Sequence, residues 1–224
     1  MKKFLNILSA SLFWVALTVP ASSAELGAGI TMQVGGYETD GTETEKTVTG
    51  VTSEQTTTSV KDGFYGASVY AELRFGDRLA IGLDYVPMDI DLGNGERNDT
   101  NASADVASEA DTGLRTATAT MKDLTTLYVR APLPMTNSMY VQLGYLDADI
   151  ETSESLPTSS YGNVGLNGIQ YGIGVASESG RARLALTYSD FDSISITGTG
   201  SGATNQNSIT ADGDATSIRL SFGF

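Results

Sequence analysis

Residues 215–224 read ATSIRLSFGF, and apolar and polar side chains alternate along them to the last residue. One face carries Ile218, Leu220, Phe222 and Phe224, and the other carries Ser217, Arg219, Ser221 and Gly223. A period of two is typical of a β-strand with one apolar face. The polar face mixes small residues with an arginine, which indicates a narrow interior where glycine and serine make room for long side chains.

The same alternation predicts seven more strands. Their apolar faces fall within residues 26–34, 65–75, 79–85, 127–131, 139–145, 169–175 and 182–188. Long polar stretches at about 39–62, 88–117, 147–163 and 190–214 alternate with short turns at 76–78, 132–138 and 178–180. This rhythm predicts an all-β, eight-stranded antiparallel up-and-down transmembrane barrel with four long extracellular loops and short periplasmic turns.

A soluble, lipocalin-like barrel would also alternate, but it would bury its apolar face around a ligand. Here the apolar face is almost free of charge and carries aromatic residues near strand ends, among them Tyr65, Tyr85, Tyr145 and Tyr188. Such rings form the interfacial girdles of membrane barrels. The pattern therefore favours a membrane barrel over a soluble one.

The first 24 residues have the order of a secretory signal peptide. Lys2 and Lys3 precede an apolar run over residues 4–19, and small residues follow up to Ala24. We expect cleavage after Ala24, which leaves residues 25–224 as one barrel domain. An uncleaved anchor helix is the alternative, but this run is short for a membrane span.

Charge is concentrated in the four long stretches. The sequence has 27 acidic and 13 basic residues and a net charge of −14, which becomes −16 when Lys2 and Lys3 leave with the signal peptide. All of that negative charge lies in the long stretches, and the predicted barrel wall is neutral overall. A nucleic-acid partner is excluded. The Thr-, Ser-, Gly- and Asp-rich composition predicts mobile loops suited to recognition or shielding.

The sequence contains neither cysteine nor histidine. Disulfides, thiolate chemistry and imidazole chemistry are therefore unavailable, and no serine or carboxylate has a recognisable base partner. We predict no catalytic residues, no cofactor and no metal site. Residues 89–96, DIDLGNGE, suggest a calcium loop but fail the EF-hand template, because Gly93, Asn94 and Thr100 occupy key positions. A solvated acidic loop is the simpler interpretation, with loose divalent binding as the alternative.

Charged and tyrosyl residues on the inward faces form a candidate lumen network. Its members are Glu72, Arg74, Asp84, Lys122, Arg130, Arg183 and Arg219, with Tyr70, Tyr128 and Tyr140 beside them. One interpretation is structural, since charges in a narrow interior need partners. The other is a selectivity filter, in which five bases against two acids favour anions. An eight-stranded lumen is usually filled by side chains, which favours the structural interpretation.

The C-terminal segment resembles the assembly signal of outer-membrane proteins, with Ile218, Leu220, Phe222 and terminal Phe224 in the apolar positions. Together with the signal peptide and eight strands, it resembles the small barrels of the OmpA transmembrane, OmpX and opacity-protein type. The resemblance covers nearly the whole mature chain and rests on architecture. It implies the bacterial outer membrane, contact with its lipid, and assembly by periplasmic chaperones and the insertion machinery.

Two functions remain open from the sequence. The eight-stranded outer-membrane enzymes that edit lipid A and the ten-stranded surface proteases resemble this scaffold but employ histidine, so the resemblance does not extend to an enzyme. The leading hypothesis is a structural or surface-interaction barrel whose acidic loops meet surface ligands and whose lumen is filled by polar and charged side chains. The alternative is a narrow, porin-like passive pore for small solutes.

Overall fold

A computed structural model describes residues 24–46, 52–76, 79–99, 113–134, 136, 138–155, 159–200 and 208–224. These residues form eleven strands. The strands are β1 (Ala24–Lys46), β2 (Thr52–Phe75), β3 (Leu79–Tyr85), β4 (Ile90–Asp99), β5 (Gly113–Pro132), β6 (Met139–Glu154), β7 (Ser159–Ser160), β8 (Val164–Ala176), β9 (Ala182–Thr197), β10 (Thr199–Gly200) and β11 (Ser208–Gly223). The predicted signal peptide lies outside the described residues except for Ala24, which begins β1.

Eight of these strands form a closed antiparallel ring in the order β3, β2, β1, β11, β9, β8, β6 and β5. Two pairings make the ring complete: the last strand β11 pairs with β1 from Gly223 opposite Gly29, and β3 pairs with β5 from Ala80 opposite Arg130. Strand β4 continues β3 along the edge of β5. The predicted eight-stranded up-and-down barrel is confirmed.

The barrel has its apolar face outside and its polar face inside, which is the reverse of a soluble barrel. Apolar residues on the outer face, such as Ile30, Val69, Leu186 and Leu220, are exposed, while their polar neighbours are buried inside. On β1 this apolar belt runs from Leu26 to Val34, which matches the 9–11 residues that a tilted strand needs to cross a bilayer. The barrel wall is therefore built to face lipid. No helix among the described residues is long and apolar enough to cross a membrane.

The predicted loops are shorter than expected, because the strands continue far beyond the belt. Strands β1 and β2 stay paired up to Lys46 and Thr52, so most of residues 39–62 forms a β-hairpin. Threonine is β-branched and fits a pleated strand, and the Thr42 and Thr57 hydroxyls hydrogen-bond across this hairpin at 3.2 Å. We call this end of the barrel the hairpin end.

The opposite end is the turn end. Gly76 directly follows β2 and Gly180 lies in the β8–β9 turn, and they adopt positive φ values of 61° and 68°. Glycine tolerates this conformation, which a tight turn requires. Residues 77, 78, 135 and 137 of the predicted turns lie outside the described residues.

Candidate functional site

Strand alternation brings polar side chains from all eight strands of the ring into the turn half of the lumen. Glycines opposite the large rings make this crowding feasible. A methyl group at Gly82 would lie 2.5 Å from the Tyr128 ring, and one at Gly174 would lie 2.6 Å from the Tyr140 ring. Each tyrosine therefore lies flat across a neighbouring strand and fills the centre of the barrel.

Glu72 is the centre of the charged network, with 2% of its surface exposed. Arg183 Nη1 donates to both of its carboxylate oxygens at 2.9 and 2.8 Å, and Arg74 Nε donates to Oε1 at 2.7 Å. Arg130 Nη2 donates to Oε1 at 3.2 Å, and the Tyr128 hydroxyl donates to Oε2 at 2.8 Å. One carboxylate therefore holds three guanidinium groups from three strands.

Aromatic rings stabilise the excess positive charge around Glu72. The Arg183 guanidinium lies 4.4 Å from the Tyr70 ring centroid, and Arg130 lies 5.3 Å from that of Tyr140. Cation–π contacts of this kind gain strength when water is excluded. The arginines are thus held both by the carboxylate and by ring faces.

A second ion pair joins Asp84 to Arg219, with Nη2 to Oδ1 at 2.8 Å. Ser68 donates its hydroxyl to Asp84 Oδ2 at 3.0 Å. Arg219 Nη1 donates to Gln170 Oε1 at 3.3 Å, which links the ion pair to the glutamine side chains that lie nearer the hairpin end. Both charges are therefore fully engaged in bonds to the barrel wall.

Amide and hydroxyl groups complete the filling of the lumen. Gln142 donates to Gln170, and Gln170 donates to Ser189, each at 3.2 Å. The cavity remaining beside Arg219 and Tyr140 has a volume of about 20 Å³, which is room for roughly one water molecule. We call this whole assembly, from Glu72 to the Gln142–Gln170 layer, the lumen plug.

The structure brings together nine of the ten predicted lumen residues, and Lys122 is the exception. Strand β5 contains a β-bulge between Lys122 and Thr125, where Asp123 has a φ of 53°. The extra residue reverses the side-chain alternation beyond it, so Lys122 points outward. There its ammonium group bonds Glu151 at 2.6 Å and lies 3.6 Å from Asp89. The inward prediction for Lys122 was wrong for this reason.

Lys122 lies beyond the membrane belt, among the acids of the hairpin end. The hydrogen bond to Glu151, together with the negative charge of Asp89, raises the pKa of the Lys122 ammonium group. Lys61 is similar, since its hydrogen bond to Glu38 raises its pKa. Both lysines therefore stay charged throughout the physiological pH range.

The stretch 89–96 is part of strand β4 and its approach rather than a free loop. The Asp91 side chain accepts a hydrogen bond from the Gly93 amide at 2.8 Å, and Gly93 has a positive φ of 103°. Within the described ranges, no three acidic residues converge as a metal site would require. Thr100 lies outside these ranges.

The predicted assembly-signal residues line the lipid-facing side of β11. Ile218, Leu220 and Phe222 are exposed and lie opposite Val34, Met32 and Ile30 of β1, and Phe224 is exposed beyond the strand. This strand supplies the closing seam of the ring. That position suits recognition of the last strand during insertion, a role that stays a prediction.

Sequence reasoning missed an apolar cavity in the hairpin half of the lumen. Its volume is about 180 Å³, and its walls include Tyr37, Phe64, Leu92, Met121, Leu166 and Phe191. Met121, Ala148, Ile150 and Leu166 form a buried cluster next to it. A signal was present in β6, where inward positions change from Tyr140 and Gln142 to Leu146, Ala148 and Ile150.

No family model matches the chain, and no curated protein matches it. Among solved structures, the outer membrane protein OprG from Pseudomonas aeruginosa aligns with a TM-score of 0.51 at 14% identity, over 88% of this chain and 96% of OprG. The outer membrane protease OmpT from Escherichia coli aligns with a TM-score of 0.44 at 9% identity, over 89% and 96%. Ail, the attachment invasion locus protein of Yersinia pestis, gives 0.40 at 8%, over 89% and 99%.

The OprG likeness shows the fold, which is that of a small outer-membrane β-barrel. The apolar belt independently indicates a membrane protein, because a closed barrel with its apolar face outward is stable only in lipid. The chain is an integral outer-membrane protein by these two observations.

Proposed function

We propose that this barrel has a structural and surface-interaction role, performed by its acidic hairpin end, and that its lumen does not conduct. The proposal that the lumen does not conduct rests on the lumen plug. Glu72 alone ties β2 to β5 and β9, because its carboxylate binds Arg130 and Arg183. A solute crossing the barrel would have to break several charge-assisted hydrogen bonds at once, in a region with few water molecules to replace them.

The surface role is supported by the length and charge of the hairpin end. Strand β1 continues twelve residues past Val34 to Lys46, which is about 40 Å measured along the strand. Its hairpin partner β2 runs beside it through Thr52. A paired hairpin of this length presents its acidic residues at a fixed position above the membrane, which suits recognition better than a floppy loop.

The proposed role is non-catalytic. Histidine and cysteine are absent from the sequence, and the buried carboxylates Glu72 and Asp84 are both bound to arginines. Both carboxylates are therefore engaged in structural ion pairs.

Planar-bilayer recording of the refolded mature protein tests the closed lumen. We expect a folded, heat-modifiable barrel without reproducible openings. A positive control replaces Arg130, Tyr140 and Arg183 by alanine, which removes three large side chains from the plug and should open a conductance. Reproducible openings of the unmodified protein would instead favour a passive pore.

The pore alternative has one observation in its favour, which is the excess of positive charge in the lumen. Among the residues that the structure describes, Arg74, Arg130, Arg183 and Arg219 form ion pairs there with two carboxylates, Glu72 and Asp84. If the barrel conducts, neutralising Arg130 and Arg219 should reduce its anion selectivity. An unchanged selectivity would exclude the lumen as the conducting path.

The surface role is tested on whole cells. One variant deletes residues 40–61 and joins the strands by a tight turn, and a second keeps the length but replaces Asp40, Glu43 and Asp62 by their amides. We expect both variants to lose adhesion to a polylysine-coated surface relative to the parent. If cells with the deletion behave as the parent does in every surface assay, the interaction role fails.

A further inference from the structure

The barrel wall contains a break in strand pairing between β2 and β4, here called the gap, although the two strands approach each other where Val60 lies beside Gly93. Strand β2 pairs with β3 only from Val69 to Phe75, so its Thr52–Ser68 portion is paired with β1 alone. Strand β4 pairs with β5, and within the described residues no backbone hydrogen bond joins it to β2. An unpaired strand edge leaves backbone amide and carbonyl groups without ladder partners.

The local sequence explains why pairing stops there. Residues Val86 to Asp89 leave the strand conformation between β3 and β4. Val86 donates its amide to the Leu124 carbonyl on β5, and Pro87 has no amide hydrogen to offer β2. The chain therefore stays attached to β5 while it separates from β2.

The gap lies beside the apolar cavity. Phe64 of β2 and Ile90 and Leu92 of β4 line the cavity from the two edges of the gap. Tyr37 reaches beneath β2 and donates its hydroxyl to the Asp91 carbonyl at 3.3 Å. Tyr65 and Met88 next to the gap are exposed on the outer surface. The opening therefore lies at the hairpin-end border of the apolar belt, within reach of lipid.

We propose that this cavity is a binding site for a small neutral apolar molecule or a single alkyl group, entered through the gap between β2 and β4. A cavity of about 180 Å³ is comparable to an apolar protein cavity of about 150 Å³ that stays dry and binds benzene. Burial of an apolar group here removes it from water against a lining that is mostly apolar.

Charge selects against anions. Asp212 and Asp214 also line the cavity, and a carboxylate or phosphate brought near them would be repelled. The preferred occupant is therefore uncharged. Other polar side chains also line the cavity, among them Gln33 and Thr39, and Gln170, Ser189 and Ser217 form the floor that separates it from the lumen plug.

The site is closed toward the turn end. The Gln170 amide that forms part of the cavity floor is bonded below to Gln142 and Arg219. An occupant can therefore leave only the way it entered or past the hairpin end. The structure assigns the cavity a binding role that is independent of whether the hairpins interact with surface partners.

Methionine methyl groups give a direct test in the unmodified protein. Met121 is 6% exposed and lines the cavity, whereas Met32 is 54% exposed and faces lipid. The refolded protein, labelled with ¹³C at methionine methyls in lipid nanodiscs, is titrated with benzene. We expect a saturable shift at Met121 and only a linear, partition-driven change at Met32.

Substitution of phenylalanine for two alanines, one in the cavity and one on the outer face, tests whether benzene binds in the cavity. Ala119 lines the cavity, and Ala119→Phe should weaken the saturable response at least tenfold by filling the space. Ala67 lies on the outer face, and Ala67→Phe should leave the response unchanged. Should Ala119→Phe fail to fold, Ala211→Phe fills the same cavity from β11.

The same sample distinguishes the two sources of an apolar occupant. Cross-relaxation between Met121 and lipid chain protons, lost when benzene is added, would identify an acyl chain from the adjacent leaflet. Saturable benzene binding without such contacts would identify a free small molecule. A Met121 signal that shows neither lipid contact nor saturation would overturn the proposal, whatever the conductance and adhesion experiments show.

Discussion

The two halves of the barrel interior are enclosed by the same ring of strands, but they are filled in opposite ways. In the turn half, Glu72 and Asp84 hold four arginines in a bonded network. In the hairpin half, Leu146, Ile150 and Met121 are buried among other apolar groups and leave a cavity. A closed barrel can therefore change from a polar to an apolar interior within a few residues along one strand.

The difference follows from what an unfilled space or a missing partner costs in each half. A buried charge must have its partner, since an unpaired one costs far more than any single apolar contact contributes. The charged half therefore leaves almost no free space. An apolar wall can stand beside an empty volume at the moderate cost of lost dispersion contacts, and a ligand can recover that cost.

The largest expected effect comes from Glu72→Gln in the charged half. The amide would place an NH₂ group among three guanidinium donors and remove the only carboxylate that holds them. We expect the free energy of unfolding to fall by about 3–5 kcal/mol, measured by urea unfolding in lipid vesicles with circular dichroism. Glu96→Gln, at an exposed position of β4, is the control and should be neutral. A loss below about 1 kcal/mol at Glu72 would mean that the network does not hold this half together.

A smaller effect is expected from Met121→Ala in the apolar half. The substitution enlarges an existing cavity, so the loss should be about 2–3 kcal/mol, at the low end for methionine truncation. Met32→Ala is the matched control, because its side chain faces lipid, which can fill the space. The same urea experiment measures both. If the two variants lose equal stability, Met121 does not pack inside the barrel.

Tyr37→Phe should change the rate at which benzene passes between β2 and β4, with little effect on the free energy of unfolding. It removes one hydrogen bond of 3.3 Å, and we expect a loss near 0.5 kcal/mol. Benzene exchange at Met121 should become faster, because a tie between β1 and β4 is gone. Tyr145→Phe is the control: it removes the 2.6 Å bond to Asn167 between β6 and β8, which a continuous ladder already joins. An equal effect of both variants on exchange would rule out entry through the gap.

The alternation of side chains predicted the ring of strands correctly because lipid and lumen impose opposite polarities on neighbouring residues. It failed where the local backbone departs from regular pairing. The bulges at Asp123 on β5 and between Phe191 and Ile194 on β9 reverse the faces beyond them. No residue pattern marks either bulge, and the sequence signal of the apolar cavity above them was confined to the inward positions of β6, at Leu146, Ala148 and Ile150. The hairpin extension of β1 and β2 was missed because threonine-rich acidic sequence is also typical of loops.

Lys122→Met carries the smallest expected effect and tests this account of the bulge. If Lys122 pointed into the lumen, it would be one more buried cation among the arginines, and its removal would change stability strongly in one direction or the other. The structure places it outside, bonded to Glu151 and near Asp89 on the surface of the hairpin end. Exposed pairs of this kind contribute little and are screened by salt. We therefore expect an unchanged urea midpoint at both low and high salt, with Lys61→Met, the other exposed lysine–glutamate pair, behaving in the same way. A clear shift for Lys122 alone would place the residue inside the barrel and would require β5 to be regular through Asp123, which would also turn Met121 away from the cavity.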